Sequence, residues 1–176
     1  MKIIKCKELK DKHTDLKFGK NFTDYMFMME YHDGAWDYEN ACIKPYEPFV
    51  LDPSTSVFHY GQAVFEGLKA YRNEAGEVRL FRPMENMKRM LDSCWRVCIP
   101  QIDPQFAHDA LVELVKLEKD WIPTAPGTSL YIRPFVIAVD RALGVHAAKN
   151  YIFAIILSPV GAYYAHGFAP VSLYVE

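Results

Sequence analysis

The sequence predicts an α+β fold, a mixed α/β unit in which β-hairpins accompany two helices. Two long runs, Ser129 to Val139 and Tyr151 to Val160, are rich in β-branched and aromatic residues and predict strands. Two stretches that begin at Pro83 and Pro104 place apolar residues every three or four positions, which predicts helices. The chain has 176 residues, enough for one domain with its own core.

The two predicted helices each have an apolar face and a start signal. Proline suits a first helical position, where its missing N–H would have no partner, and Asp103 is the predicted N-cap of the second helix. The apolar face of the first comprises Met84, Met87, Met90, Leu91, Cys94, Trp95 and Cys98. The buried face of the second comprises Phe106, Ala110, Leu111, Leu114, Val115 and Leu117.

Shorter elements complete the predicted fold. A strand is expected from Phe22 to Tyr31 and a short helix from Gln62 to Leu68. The runs Lys69 to Arg72 and Glu77 to Arg82 flank a turn that contains glycine, which predicts a hairpin. The final residues, Val171 to Glu176, alternate as in the start of another strand.

Composition and charge exclude several classes of protein. Hydrophobic residues make up 51% and charged residues 24%, as in globular rather than disordered chains. The formal net charge of −2 gives no electrostatic reason to expect a nucleic acid or an anionic membrane as partner. No apolar run is long enough to cross a bilayer, and Met1 to Lys20 contains no apolar signal core. We therefore expect a cytoplasmic protein.

The sequence contains no self-contained catalytic or metal-binding motif. It has no P-loop, no dinucleotide-binding glycine motif, no HExxH and no Gly-x-Ser-x-Gly elbow. Cys6 and Cys42 stand apart, whereas Cys94 and Cys98 are spaced for one helix face and could form half of a metal site. No further histidine or cysteine cluster completes that site, so we expect small core residues.

Tyr131 and Arg133 are the first candidates for binding. Residues two apart on a strand share a face, so this phenol and guanidinium should lie side by side. An arginine fork matches two carboxylate oxygens and a tyrosine adds a directed hydroxyl, which indicates a carboxylate receptor. The alternative is an arginine paired with a structural acid.

Three further positions carry a functional and a structural interpretation. Arg89 lies on the polar face of the first helix and is either a solvated charge or a phosphate ligand. Tyr60 lies at a predicted corner, where ligands often meet backbone, although such residues are more often structural. Gly67 costs about 1 kcal/mol relative to alanine in a helix, so close packing or a ligand should explain it.

Taken together, these segments resemble the branched-chain aminotransferases of pyridoxal-phosphate fold type IV. The resemblance extends in order over nearly the whole chain, which implies the small N-terminal domain of that family over residues 1–160. Residues 161–176 would be the interdomain loop and the start of the large domain. The resembling words are Phe18-Gly19 with Phe22-Thr23-Asp24, His59-Tyr60-Gly61-Gln62, Phe65-Glu66-Gly67-Leu68-Lys69-Ala70, Leu80-Phe81-Arg82-Pro83 with Asn86-Met87 and Arg89-Met90, Ser129-Leu130-Tyr131-Ile132-Arg133-Pro134, Leu143-Gly144-Val145, and Ser158-Pro159-Val160-Gly161 before Tyr163.

The resemblance implies pyridoxal 5'-phosphate as the cofactor of the complete enzyme, with Arg89 as ligand of its phosphate. In the family the lysine that carries the cofactor lies beyond the interdomain loop. The last lysine here, Lys149, matches nothing catalytic. We therefore expect no catalytic residue in this chain and no turnover by the chain alone.

The implied reaction is transamination of leucine, isoleucine and valine with 2-oxoglutarate, which yields branched-chain 2-oxo acids and glutamate. The arginine and the tyrosines would accept the distal carboxylate of glutamate, and apolar walls would accept branched side chains. Leu143 and Val145 would reach the pocket of the neighbouring subunit, which implies a homodimer. The implied substrate-binding residues are Phe18, Tyr60, Tyr131, Arg133, Leu143, Val145 and Tyr163.

Two other interpretations remain open. D-amino acid aminotransferases and aminodeoxychorismate lyases share the implied fold, but they resemble this sequence less around Tyr131-Ile132-Arg133 and Leu143-Gly144-Val145. The chain could also act as a non-catalytic interaction or structural domain.

Overall fold

A mainly antiparallel sheet forms the centre of the structure, a computed structural model that describes residues 1–12, 15–162 and 170–175. Within these residues the sheet has nine strands in the order β1-β4-β2-β9-β8-β6-β7, with β3 paired to β2 and β5 paired to β8. The pair β1–β4 is parallel. The strands are β1 (Lys2–Ile3), β2 (Tyr25–His32), β3 (Ala35–Trp36), β4 (Cys42–Pro45), β5 (Ala63–Phe65), β6 (Leu68–Arg72), β7 (Val78–Leu80), β8 (Ser129–Ala138) and β9 (Tyr151–Val160).

Two long helices cover one face of this sheet. They are α2 (Pro83–Arg96) and α3 (Pro104–Leu117), preceded by the short α1 (Ser56–Tyr60) and followed by a 3-10 turn at Lys119–Trp121. Their buried faces share one hydrophobic core with the inward residues of the sheet. As predicted, Asp103 caps α3: its Oδ1 accepts hydrogen bonds from the backbone N–H groups of Gln105 at 2.8 Å and Phe106 at 3.4 Å. No helix in the described part of the chain is long and apolar enough to cross a membrane.

Strand β8 separates the core face of the sheet from its open face. It pairs with β9 along its whole length, from Ser129 opposite Val160 to Ala138 opposite Tyr151. Burial alternates along β8, and the even-numbered positions such as Leu130 and Ile132 are fully buried against the helices. The odd-numbered positions from Tyr131 to Ile137 are half-buried on the opposite face, which confirms the predicted arrangement of Tyr131 and Arg133.

The predicted helix from Gln62 to Leu68 is wrong. The chain forms α1 earlier and ends it at Gly61, whose φ of 63° is the left-handed conformation that stops a helix. Residues Ala63–Phe65 then form β5, antiparallel to β8, with Val64 buried and its two neighbours exposed. A tertiary pairing with β8 therefore decides the structure of this short apolar run.

Two residues predicted on the apolar face of α2 lie outside it. Trp95 is 67% exposed, because its position is off the stripe of Met87, Met90 and Cys94, and the guanidinium of Arg96 lies 5.3 Å from its ring centroid. Cys98 is also exposed, since α2 ends at Arg96. Leu117, on the predicted buried face of α3, is 39% exposed.

The four cysteines are free thiols in different environments. Cys94 is buried, whereas Cys98 follows the helix with a φ of 57° and is exposed, so the two do not share a helix face. Cys6 and Cys42 are half-buried. The described residues contain no group of three or more ligands that could hold a metal ion.

The strand expected at Val171 to Glu176 is absent from the part of it that the structure describes. Residues 171–175 have no regular secondary structure and are exposed. Glu176 lies outside the described residues.

Candidate functional site

The open face of β8 holds a guanidinium that is hydrogen-bonded to a phenol. Arg133 donates to the hydroxyl oxygen of Tyr131 from Nε at 3.2 Å and from Nη2 at 2.7 Å. The guanidinium carbon lies 4.2 Å from the ring centroid of Phe65 on β5, a cation–π contact. Within the described chain the Arg133 guanidinium contacts Tyr131 and Phe65 and makes no ion pair with a carboxylate, so a structural acid does not hold it. Arginine has five N–H groups, and these bonds engage two of them.

Phe18 closes one side of this arrangement. Its ring centroid lies 4.9 Å from that of Tyr131, and the two rings are tilted by 59°. The N–H of Gly161, just after β9, donates a 2.8 Å hydrogen bond to the carbonyl oxygen of Leu16 and so holds this segment beside the sheet. The predicted pocket residues Phe18, Tyr131 and Arg133 therefore lie together.

Gly67 makes room for the ring of Tyr131. A Cβ added to Gly67 would lie 3.1 Å from Cζ of Tyr131 and would overlap its hydroxyl oxygen. This close approach is the packing reason that the sequence suggested for a glycine here, although the residue lies between β5 and β6 rather than in a helix.

Arg89 forms a bidentate ion pair with Glu66. Its Nε lies 2.5 Å from Oε1 and its Nη2 lies 2.7 Å from Oε2. Glu66 Oε2 also accepts hydrogen bonds from Asn86 Nδ2 at 2.9 Å and from the Gly67 N–H at 3.3 Å. Burial acts to raise the pKa of Glu66, but the hydrogen bonds from Arg89 and Asn86 outweigh it and hold this pKa below its ordinary value.

The Arg89 guanidinium is open to solvent although its partner is buried. The side chain of Arg89 is 67% exposed and that of Glu66 is 3% exposed. Two N–H groups of the guanidinium face Glu66, and three remain for a ligand. Charged donors form strong hydrogen bonds with a phosphate, so this residue fits the implied cofactor phosphate.

Tyr60 and the loop between β8 and β9 form a separate part of the predicted site. The Tyr60 hydroxyl donates to the carbonyl oxygen of Leu143. Among the described contacts none joins Tyr60 to Tyr131 or Arg133. The side chains of Leu143 and Val145 project outward, with 63% and 86% of their surfaces exposed. The remaining predicted pocket residue, Tyr163, lies outside the described residues.

A buried carboxylate, Asp140, organises this loop, and sequence reasoning missed it. Asp140 accepts hydrogen bonds from the backbone N–H groups of Lys149 at 2.9 Å and Asn150 at 2.8 Å. It also accepts from the Asn150 side chain at 2.7 Å and lies 2.9 Å from His146 Nε2. An acid directly after a strand and before a loop is the signal that could have identified it.

The electrostatics of the loop follow from these contacts. Burial acts to raise the pKa of Asp140, but its hydrogen bonds from Asn150, Lys149 and His146 lower it overall. The Gly144 carbonyl oxygen and the Asp140 carboxylate raise the pKa of His146 above its ordinary value. Asp140 is therefore charged at neutral pH, and its hydrogen bonds join the two ends of the loop that carries Leu143 and Val145.

Sequence comparison shows that the chain is similar to branched-chain aminotransferases. A branched-chain-amino-acid transaminase of Bacillus subtilis is 55% identical over 177 residues, covering 99% of this chain and 49% of the relative. A mitochondrial branched-chain-amino-acid aminotransferase of Schizosaccharomyces pombe is 43% identical over 176 residues, covering 98% of this chain and 41% of the relative. The chain thus spans about half the length of the curated relatives it matches. No family model matches it.

Solved structures show the same fold. A branched-chain amino acid aminotransferase of Escherichia coli superposes with a TM-score of 0.60 at 24% identity, covering 80% of this chain and 41% of that one. The branched-chain aminotransferase of Thermoproteus uzoniensis, solved with norvaline, gives 0.57 at 25% identity, covering 79% and 43%. The fold of this chain is that of the N-terminal part of these structures.

Proposed function

The chain is homologous over nearly its whole length to branched-chain aminotransferases of fold type IV, and from that premise we propose that it forms the substrate-reading part of such an enzyme. The complete protein would transfer an amino group between leucine, isoleucine or valine and 2-oxoglutarate. The observation that carries this proposal is the Tyr131–Arg133 pair on the open face of β8, bordered by the rings of Phe18 and Phe65.

This arrangement suits one pocket for two kinds of substrate. The free N–H groups of Arg133, with the Tyr131 hydroxyl, would bind the distal carboxylate of glutamate or 2-oxoglutarate. The aromatic faces of Phe18 and Phe65 would take an aliphatic side chain instead. An unpaired carboxylate in such surroundings is costly, so Arg133 decides whether a dicarboxylate can enter.

The cofactor of the proposed enzyme is pyridoxal 5'-phosphate, which when bound supplies an electron sink for the substrate carbanion. In this chain Arg89 would hold its phosphate. Lys149 lies in the β8–β9 loop, where its backbone N–H donates to Asp140, and no described contact joins its side chain to Arg89, Tyr131 or Arg133. What these residues contribute is therefore binding and orientation of the cofactor phosphate and the substrate.

The exposed loop residues Leu143 and Val145 support a proposed homodimer in which they reach the partner's pocket, with Tyr60 holding the loop through the Leu143 carbonyl. Residues 161–176, including Tyr163, would then form the interdomain loop and the start of the cofactor-carrying domain. We propose a cytoplasmic location for the enzyme.

A substrate panel tests the proposed reaction. The longest natural polypeptide that carries this sequence is assayed with leucine, isoleucine, valine and D-alanine against 2-oxoglutarate. We expect turnover of the three branched L-amino acids. Turnover of D-alanine without leucine would favour the D-amino acid alternative, and no turnover of leucine would overturn the proposal.

Arg133→Gln separates the two kinds of substrate. We expect KM for 2-oxoglutarate to rise roughly a hundredfold, since a charged hydrogen bond is worth about 1.5–3 kcal/mol. KM for leucine should change far less. Arg79→Gln, at an arginine that is 66% exposed on β7, is the matched control and should leave both unchanged. Equal losses for both substrates would contradict the assigned role of Arg133.

The chain by itself should contain no lysine that reacts selectively with pyridoxal phosphate. Pyridoxal phosphate is added to the 176-residue chain, borohydride follows, and intact mass with peptide mapping locates any label. We expect no stoichiometric label at a single position. Such a label would mean that the chain carries its own catalytic lysine.

A further inference from the structure

We propose that Glu66 is a positioning residue that holds Arg89 in the orientation in which it binds the cofactor phosphate. The inference rests on the proposed function, in which Arg89 is the phosphate ligand. It concerns a residue that does not itself touch cofactor or substrate but fixes one that does.

The first observation is that Arg89 is exposed whereas its partner Glu66 is buried. An arginine side chain that is 67% exposed on a helix normally loses little by changing rotamer, because water replaces its contacts. Glu66, at 3% exposed, cannot follow such a change. Its carboxylate is held by Asn86 Nδ2 at 2.9 Å and by the Gly67 N–H at 3.3 Å. The buried acid therefore fixes the exposed base.

The second observation is the bidentate geometry of the Arg89–Glu66 ion pair. Both carboxylate oxygens of Glu66 are engaged by Arg89, one through Nε and the other through Nη2. This bidentate contact fixes the plane of the guanidinium as well as its position. The Nη1 group and the second Nη2 hydrogen then point away from the carboxylate and remain for an anion.

The third observation is that Glu66 is followed directly by Gly67, which contacts Tyr131. The next residue, Gly67, packs directly against the phenol of Tyr131, and its N–H donates to the Glu66 carboxylate. The buried Glu66 side chain thus holds both Arg89, the proposed phosphate ligand, and the backbone beside Tyr131, a proposed substrate-binding residue. Loss of the carboxylate should loosen Arg89 first, because two of its hydrogen bonds depend on that group.

Glu66→Gln removes the charge at nearly constant volume. A glutamine oxygen can still accept from one donor, but its amide group donates and must face a donor of Arg89 or Asn86. Glu66→Asp keeps the charge on a shorter stem. Glu113→Gln is the matched control, because Glu113 is 48% exposed on α3 and pairs with Lys116 at 2.8 Å. Arg89→Gln measures the contribution of the phosphate ligand itself.

The measurement compares the affinity of the longest natural polypeptide for pyridoxal phosphate with its affinity for pyridoxal, which lacks the phosphate. We expect Glu66→Gln to weaken binding of pyridoxal phosphate roughly tenfold, as for one charged hydrogen bond, and to leave pyridoxal unchanged. Glu66→Asp should recover part of the loss, and Glu113→Gln should match the wild type. The Nε–H resonance of Arg89 should exchange faster with solvent in Glu66→Gln.

The outcomes separate this inference from the function on which it rests. If Arg89→Gln weakens pyridoxal phosphate binding and Glu66→Gln does not, the role of Glu66 is wrong and the phosphate ligand stands. If Arg89→Gln binds pyridoxal phosphate as the wild type does, the proposed phosphate site fails with it. Equal losses for pyridoxal and pyridoxal phosphate in Glu66→Gln would show a merely structural role and overturn the inference.

A milder variant keeps the inference testable if Glu66→Gln does not fold. Asn86→Ala removes one donor that holds the Glu66 carboxylate and leaves the ion pair itself intact. We expect a loss of a few-fold in affinity for pyridoxal phosphate and none for pyridoxal. Wild-type affinity for both ligands in folded Asn86→Ala would contradict the proposed chain of contacts.

Discussion

Gly67 and Tyr131 are packed so closely that position 67 has no room for a side chain. A Cβ there would lie 3.1 Å from Cζ and 3.3 Å from Cε2 of the tyrosine ring, and it would overlap the hydroxyl oxygen. The ring cannot easily turn away, because its hydroxyl accepts two hydrogen bonds from Arg133 and its face contacts Phe18. The position of the phenol is thus coupled to the absence of a Cβ on the adjacent strand connection.

Gly67→Ala should therefore displace Tyr131 and lower the free energy of unfolding by about 1–3 kcal/mol, the usual cost of overpacking. The measurement is chemical denaturation, with the Tyr131 ring resonances as a local probe. Gly144→Ala is the matched control, because an added Cβ there meets no atom within 4 Å, and we expect little change. Equal effects of the two substitutions would refute a specific clash with Tyr131.

Glu118 should make the stability of the fold depend on pH. Burial raises the pKa of Glu118 from 4.5 to about 7, although a 2.5 Å hydrogen bond from the Tyr25 N–H opposes this shift. Between these values the folded state holds a proton that the unfolded state has released. The contribution of Glu118 to the free energy of unfolding should thus be greatest below pH 4.5. It should fall by roughly 3 kcal/mol as the pH rises from 4.5 through 7.

Glu118→Gln tests this pH dependence, because glutamine keeps an acceptor for Tyr25 and cannot titrate. The free energy of unfolding, measured by denaturant at several pH values, should lose its slope between pH 4.5 and 7. Glu113→Gln, at a 48% exposed position on α3, should retain the wild-type slope. A Glu118→Gln profile parallel to that of the wild type would show that another group is responsible.

Asp140→Asn should loosen the β8–β9 loop. Asparagine retains one acceptor oxygen, but its amide group cannot accept from Lys149 N–H or pair with His146. We expect the free energy of unfolding to fall by about 1–3 kcal/mol. Backbone amides of residues 141–150 should exchange hydrogen faster in a mass-spectrometric measurement. Asp92→Asn, at an exposed position of α2, is the control. If this variant also exchanged the amides of residues 141–150 faster, a local role of Asp140 would be contradicted.

Asp103→Ala should weaken α3 by removing its N-cap. The carboxylate accepts from the first free N–H groups of the helix, and loss of such a cap costs about 1 kcal/mol. Thermal or chemical unfolding measures the change. Asp103→Asn should preserve most of the stability, since asparagine also caps helices. If both substitutions cost the same, the charge rather than the hydrogen bonds would explain the effect.

Local signals in the sequence were sufficient for part of the fold. Proline at the first position and a periodic apolar face predict α2 and α3, because these depend on residues within the same segment. The short strand β5 was missed, because its identity depends on pairing with Phe135 to Ile137 on a distant part of the chain. Trp95 and Cys98 were misplaced because a period of three to four residues was extended past the stripe and past the end of α2.

The candidate site likewise contains features that local sequence predicts and features that depend on contacts between distant residues. The shared face of Tyr131 and Arg133 follows from the period of a single strand and was predicted correctly. The Arg89–Glu66 pair joins two elements 23 residues apart, and the hydrogen bonds on Asp140 form only when the loop closes. No periodicity encodes such contacts. The resemblance implies Arg89 as a phosphate ligand, but it does not point to Glu66, the residue that we propose to fix it.

The alternation of β8 constrains how this protein can diverge. Deletion of one residue within the strand would turn Tyr131 and Arg133 toward the helices and bring Leu130 and Ile132 to the open face. Substitutions at positions 131 and 133 can therefore change the proposed site, while the core behind the strand restricts changes in its length. Variation in chain length should be confined to the loop beyond Ala138, where it would alter the proposed subunit contacts rather than the proposed carboxylate receptor.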